Sequence, residues 1–147
     1  MDYGNWKPKD IRKLIREGKI TGQTSGMCNG YAQANMAILP KSLAFDFLLF
    51  TQRNRKPCPL LDVTEAGNPE PKLAAPGADL RYDIPKYRIY KKGILTDEVT
   101  DLSGYWQDDY VAFLLGCSFS FESPMIEDGL DVRHITDHHN VPMYITN

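Results

Sequence analysis

Residues 48–67, LLFTQRNRKPCPLLDVTEAG, constrain the fold more than any other stretch of the chain. An apolar helix end runs through a basic turn holding Pro57 and Pro59 into a short buried run, Leu60-Leu61, that stops in two carboxylates, Asp62 and Glu65. Proline neither continues a helix nor donates to a strand ladder, so the elements on either side of this turn must be separate. Whatever element carries the leucines delivers both acids to the place where it ends, with Arg53 and Arg55 just upstream. Polar groups gathered where a buried strand stops are how α/β proteins commonly build sites.

A chain of 147 residues supports one hydrophobic core, so a single α/β unit is expected over 1–147. The net charge of −2, from 17 basic and 19 acidic residues without a long block of either sign, lacks the electrostatic footprint of a nucleic-acid partner or an anionic membrane. Cys28, Cys58 and Cys117 are odd in number and show no CxxC spacing, which argues against a disulfide framework and a structural zinc site and fits a reducing cytoplasm. The first residues, MDYGNWKPKD, hold no apolar signal-peptide core, and the most apolar stretch, 43–50, is short and broken by Asp46.

Along the chain, Pro8 opens a small amphipathic helix whose Ile11, Leu14 and Ile15 share one face and which Gly18 ends. Residues 21–30 form a Gly-rich loop, read as a connector because it lacks the lysine and spacing of a phosphate loop. Residues 34–39 predict a strand stopped by Pro40, and 42–52 a helix that Ser42 would cap, with Leu43, Phe47 and Phe50 on its core stripe. Asn35 on that strand could aim its amide at a ligand or satisfy nearby backbone. The Pro- and Gly-rich run after Glu65 begins an α+β excursion over 66–104, with a hairpin from 88–90 and 94–99 about Lys91-Lys92-Gly93 that forms a small satellite sheet.

Residues 106–115 then predict a helix, with Asp108 and Asp109 in its first turn and Gly116 as its stop, followed by a turn into another helix. Unpaired N–H groups there, with the hydroxyls of Ser118 and Ser120, would receive a carboxylate or phosphate; plain helix capping is the alternative. Cys117 has no evident base or electropositive surround and reads as inert. His134 and His138 are four apart, yet Asn140 and Pro142 follow, 132–135 and 141–145 read as strands, and no third ligand stands at a recognisable spacing; no metal is expected. The fold class is therefore α/β, a mixed sheet flanked by helices with the hairpin excursion beside it.

The segments GYAQANMAILPKSLAFDFLLFTQRN, PCPLLDVTEAG, LAAPGADLR, VAFLLGCSFSFE and RHITDHHNVPMY together closely resemble the bacterial hydro-lyase family, which is related to the D-glutamate cyclase domain of a mitochondrial enzyme. The resemblance runs from about the first helix to the last residue. It implies a cytoplasmic α/β enzyme that removes water from a small amino or hydroxy acid without a metal or other cofactor. Members of that family continue beyond the NVPMY block, so the chain is expected to be the N-terminal part of a longer architecture, with 141–145 as an edge prone to self-association.

Closing D-glutamate to 5-oxoproline needs a free amine to attack the side-chain carboxyl, a proton for the departing water and donors for the oxyanion. Asp62 and Glu65 are the expected proton-transfer pair, Glu65 foremost; being three apart, they act together only if the strand ends between them, and capping is their other reading. His134 is a further proton carrier, since its ordinary pKa suits the task. Ser118, Ser120 and Arg53 are expected on the substrate carboxylates, although Arg53 could be a solvated helix-end charge. The alternative to an enzyme is a non-catalytic domain that binds a small carboxylate or a partner.

Overall fold

Pro8, whose ring presets the first helical φ, opens helix α1 (Pro8–Arg16) in the computed structural model, which describes residues 2–137 and 139. Ile11 and Ile15, one turn apart, are buried against Ile20 and Cys28, with Tyr3, Leu14 and Met27 around them. The helix ends in a Schellman motif: Gly18 takes φ +68°, its N–H donates to the Ile15 carbonyl, and the Lys19 N–H donates to Leu14.

Strand β1 (Ala34–Pro40) leads directly into helix α2 (Lys41–Arg53), and β2 (Leu60–Val63) follows the basic turn. The expected cap at Ser42 does not form, because the helix starts one residue earlier, where the Lys41 N–H is already satisfied by the Asp109 carbonyl at 2.7 Å. The excursion then carries β3 (Tyr87–Lys91) and β4 (Ile94–Val99), paired antiparallel as a separate two-stranded sheet. Their connection is Lys92-Gly93 with φ +50° and +77°, the two left-handed residues that a tight right-twisted hairpin requires.

The main sheet is built on β5 (Tyr110–Gly116), which lies between β1 and β2 and is antiparallel to both. Residues 106–115 were expected to be helical; the chain instead forms a strand over Tyr110–Gly116. A continuous apolar run such as Val111-Ala112-Phe113-Leu114-Leu115 carries no period, and burial on both faces decides it. Ala112 and Leu114 pack with Leu80 against Met36 and Ile38 of β1, Ile84 of the excursion and Trp106 just before β5. Phe113, on the other face, meets the Phe47 ring of α2 edge-on at 4.9 Å between centroids. Thus α2 covers one face of the sheet and the excursion the other. All strand pairings among the described residues are antiparallel.

After β5 a 3-10 turn (Ser118–Phe121) runs into α3 (Glu122–Glu127), and α4 (Arg133–Thr136) follows. The strand expected over 132–135 is a single helical turn, held locally because the N–H groups of Ile135 and Thr136 both donate to the Val132 carbonyl. The strand expected at 141–145 and the residue His138 lie outside the described residues. No helix among the described residues is long and apolar enough to cross a membrane.

Candidate functional site

β2 stops at Val63, between the two acids, as joint action would require; their side chains nevertheless have different surroundings. Asp62 stands opposite Leu114 in the ladder and is buried. Its Oδ1 accepts the Val63 N–H at 2.8 Å, and its Oδ2 accepts the N–H groups of Leu73 and Ala74 at 2.7 and 2.9 Å. Both oxygens are thus committed to backbone, and they fasten the start of the excursion to β2. Glu65 is exposed; Lys72 Nζ donates to it at 2.6 Å and Asn68 Nδ2 at 3.1 Å. The hydrogen bond from Lys72, with help from Asn68, holds its carboxyl below the usual glutamate value.

Ser120 and Ser118 sit at the other end of the sheet. Ser120 Oγ accepts the Gln33 N–H at 2.8 Å, and the Cys117 N–H donates to the Gln33 carbonyl at 3.2 Å, so this turn clasps the approach to β1. Ser118 is exposed at the first position of the 3-10 turn and caps nothing with its side chain. Asn35, two residues beyond Gln33, is exposed and lies opposite Leu115, on the sheet face opposite Met36. His134 of α4 meets Glu122 of α3, Nε2 to Oε1 at 2.9 Å, with both side chains largely covered. Arg53 ends α2 in solvent.

Asn35, Ser118, Ser120 and the His134–Glu122 pair therefore belong to the end of the sheet where β5 finishes. Glu65 lies toward the opposite end, because the Thr64 N–H donates to Ala112 and the Gly67 N–H to Tyr110, whereas Asp62, opposite Leu114, stands only one position along β5 from the partner of Asn35. From Ala112, beside Glu65, to Cys117 the chain advances roughly 17 Å at strand rise, and from Leu114, the partner of Asp62, roughly 10 Å. β5 lies between β1 and β2, so Glu65 and the serine turn stand toward opposite ends of the sheet, and Asp62 lies between them with both oxygens taken by backbone N–H groups.

A cleft of about 860 Å³, within the size range of small-molecule sites, opens on the other side of β1. Its apolar lining includes Ile11, Ile15, Met36, Ile38, Leu80 and Ile84, with α1 on one wall and the excursion on the other. Two side chains that the sequence reading passed over, Arg12 and Asp83, stand in that lining. Asp83 is almost wholly buried, and Arg16 grips both of its oxygens: Nε donates to Oδ1, and Nη2 to Oδ2 at 2.7 Å. The Asp79 N–H adds a third donor at 2.8 Å. Hydrogen bonding to Asp83 raises the Arg16 pKa further, against the opposing cost of burial. Arg12 Nε remains 3.6 Å from Asp83, with the Arg12 side chain 21% exposed. The signal in the sequence was the four-residue spacing of Arg12 and Arg16 beside the Ile11/Ile15 stripe.

Cys28, in the same lining, holds a left-handed backbone at φ +55° and is buried. Burial pushes its thiol pKa up, the nearby Arg12 charge opposing, so the thiol stays protonated at neutral pH. Among the described residues no group of three or more His, Cys, Asp or Glu side chains is arranged to hold a metal ion.

Residues 111–147 match the family model described as D-glutamate cyclase, a span that starts in β5 and includes the serine turn and His134. The chain is 67% identical over 140 residues to "Putative hydro-lyase YcsI" of Bacillus subtilis, covering 95% of this chain and 54% of that protein. It is 63% identical over all 147 residues to "Putative hydro-lyase Teth514_1597" of Thermoanaerobacter sp., and 60% identical to a "Putative hydro-lyase" of Psychrobacter arcticus, covering 56% of each. The chain thus spans about half the length of the curated relatives it matches. Along its whole length the chain is thus similar to bacterial proteins named hydro-lyases.

Proposed function

We propose that this chain is part of a hydro-lyase acting on a small amino or hydroxy acid, of the D-glutamate cyclase type, converting D-glutamate to 5-oxo-D-proline and water. The observation that carries this reading is the D-glutamate cyclase match over 111–147, within a chain similar along its length to proteins named hydro-lyases. In the reaction the amine nitrogen bonds to the side-chain carboxyl carbon, a C–O bond breaks, and the oxygen leaves as water after gaining protons. The matched span supplies groups suited to this: His134 with Glu122 moves the proton, and the exposed Ser118 hydroxyl donates to a carboxylate oxygen. Ser120 and Asn35 complete that end of the sheet, Ser120 chiefly by holding Gln33. Glu65 and Asp62 take structural parts in this reading. The work is done in the cytoplasm, where the three free cysteines stay reduced.

A second reading, a domain that binds a small carboxylate without turning it over, is favoured by the distance of Glu65 from the serine turn and by the commitment of both Asp62 oxygens to backbone N–H groups. The deciding assay incubates D-glutamate, L-glutamate and 5-oxoproline with this chain and with the longer Bacillus subtilis relative, following products by chiral chromatography. Ring closure of D-glutamate by either protein upholds the cyclase reading. Silence from both folded proteins refutes it, and saturable carboxylate binding without product leaves the binding domain.

A further inference from the structure

Among the described residues lining the cleft beside α1, Arg12 is the largely covered cation that stands beyond hydrogen-bond distance of its carboxylate, whereas Lys86 and Arg88 are more than half exposed to water. Lys86 and Arg88, which also line it, both lie 3.6 Å from Glu98. Arg81 forks onto Asp79 at 2.9 and 2.7 Å. Asp83 is occupied by Arg16 and by the Asp79 N–H. Two guanidinium groups thus share one carboxylate, and Arg12 is the one held off it, beyond hydrogen-bond distance at 3.6 Å. Among the described residues Arg12 donates no hydrogen bond, although its side chain is about four-fifths covered. A largely desolvated guanidinium needs an anion that accepts its N–H groups.

We propose that this cleft is a binding site for a small carboxylate and that Arg12 is its anchoring residue, positioned by Asp83. The charge of Asp83 attracts Arg12 without taking up its outer nitrogens, which leaves the planar fork to pair with two carboxylate oxygens. The methylenes of the ligand lie along Met36, Ile38 and Leu80. An oxyanion bound there completes the charge balance that Arg16 and Asp83 leave open. The anion site rests on Arg12 itself; the choice of a carboxylate over a phosphate rests on the cyclase-type reading above.

The test titrates the isotopically labelled 147-residue chain with glutarate, D-glutamate, L-glutamate and inorganic phosphate, observed by NMR. The expected result is saturable shifts at Cys28, Gln33 and Met36 with the dicarboxylates. Arg12→Gln should weaken that binding at least about tenfold and Arg12→Lys by less, both with an unchanged melting temperature. Should Arg12→Gln fail to fold, the charge-retaining Arg12→Lys decides by its affinity. The site is overturned if the chain shows no saturable binding, if the shifts fall at residues 118–120, or if the folded Arg12 variants bind within twofold of the parent. Equal affinity for phosphate and glutarate overturns the carboxylate assignment. Tight, Arg12-dependent glutarate binding with no ring closure by this chain or by the longer relative refutes the cyclase reading and leaves this site standing; ring closure with a KM untouched by Arg12→Gln does the reverse.

Discussion

Asp62 accepts the backbone N–H of Leu73 at 2.7 Å, tying the strand that ends the acid corner to a residue eleven positions further along. Its carboxylate also holds the N–H groups of Val63 and Ala74. Removing it leaves donors without a partner in a covered place, a loss of about 2–3 kcal/mol. Asp62→Ala should therefore lower the urea midpoint by that amount and open residues 66–80 to proteolysis. Asp62→Asn, with one acceptor oxygen instead of two, should lose about half as much. A variant of normal stability would show that these hydrogen bonds do not hold the excursion.

Acid should destabilise the protein in a defined window. The carboxyls of Glu17, Glu65 and Asp101 are held below their ordinary values by hydrogen bonds from Lys19, Lys72 and the Ser103 backbone N–H respectively. Asp79, which burial alone would raise, is lowered on balance by Arg81. A folded pKa below the unfolded one gives stability that is fully present above the unfolded value and lost as pH falls through the folded value. Melting temperature should thus be insensitive to these groups from neutral pH down to about 5 and fall below about 4. Lys72→Met should shrink the Glu65 share of that fall without moving the neutral plateau.

Gly67 and Gly93 share a φ of +77°, so the two positions separate backbone strain from crowding. A Cβ on Gly67 would stand 2.7 Å from the Asp108 carbonyl oxygen, whereas one on Gly93 meets nothing within 4 Å. Gly93→Ala should cost about 1 kcal/mol, the left-handed penalty alone. Gly67→Ala should cost roughly 2 kcal/mol or more, because the chain must also move away from the turn at Asp108, although Trp106 Nε1 holds it there by donating to the Gly67 carbonyl at 2.9 Å. Equal losses in calorimetry would show that the approach to Asp108 relaxes freely.

Phe113 is 1% exposed and Phe47, its edge-on partner, only partly covered. Phe113→Ala should destabilise by about 3–5 kcal/mol, enough to unfold much of the population of a marginal domain. Phe47→Ala should cost distinctly less, since water already reaches that ring. Comparable losses in chemical denaturation would place the weight of the core in α2 instead of β5.

The elements visible in the sequence are those whose instructions are local. Pro8 and Gly18 bound α1, Pro40 bounds β1, and Lys92-Gly93 turns the hairpin; each lies within a residue or two of the boundary it sets. The β5 run was not legible as a strand, because five consecutive apolar residues look alike in a buried helix and a buried strand, and only the neighbours on both faces choose. The site was harder to read for a related reason. Asp62 and Glu65 are close along the chain to Arg53, yet the relation of the acids to Ser118 depends on strand order. The meeting of Arg12 with Asp83, 71 positions apart, depends on how the excursion returns to α1. His134 and Glu122 were likewise joined only by the packing of two short helices.

The strand at the middle of the sheet is the last of its three to leave the ribosome. β1 ends at Pro40, whose partner is Tyr110, and β2 is complete by Val63. At about 5–20 residues per second, the roughly seventy residues between Pro40 and Tyr110 take on the order of 4–14 seconds to synthesise. From Val63 onward in that interval both outer strands exist with no ladder to join, and α2 has no Phe113 to pack on. Translation thus delivers the rim before the hub, and the nascent chain depends on chaperones, or on its own prolines and charges, to keep two unpaired edges apart until β5 arrives.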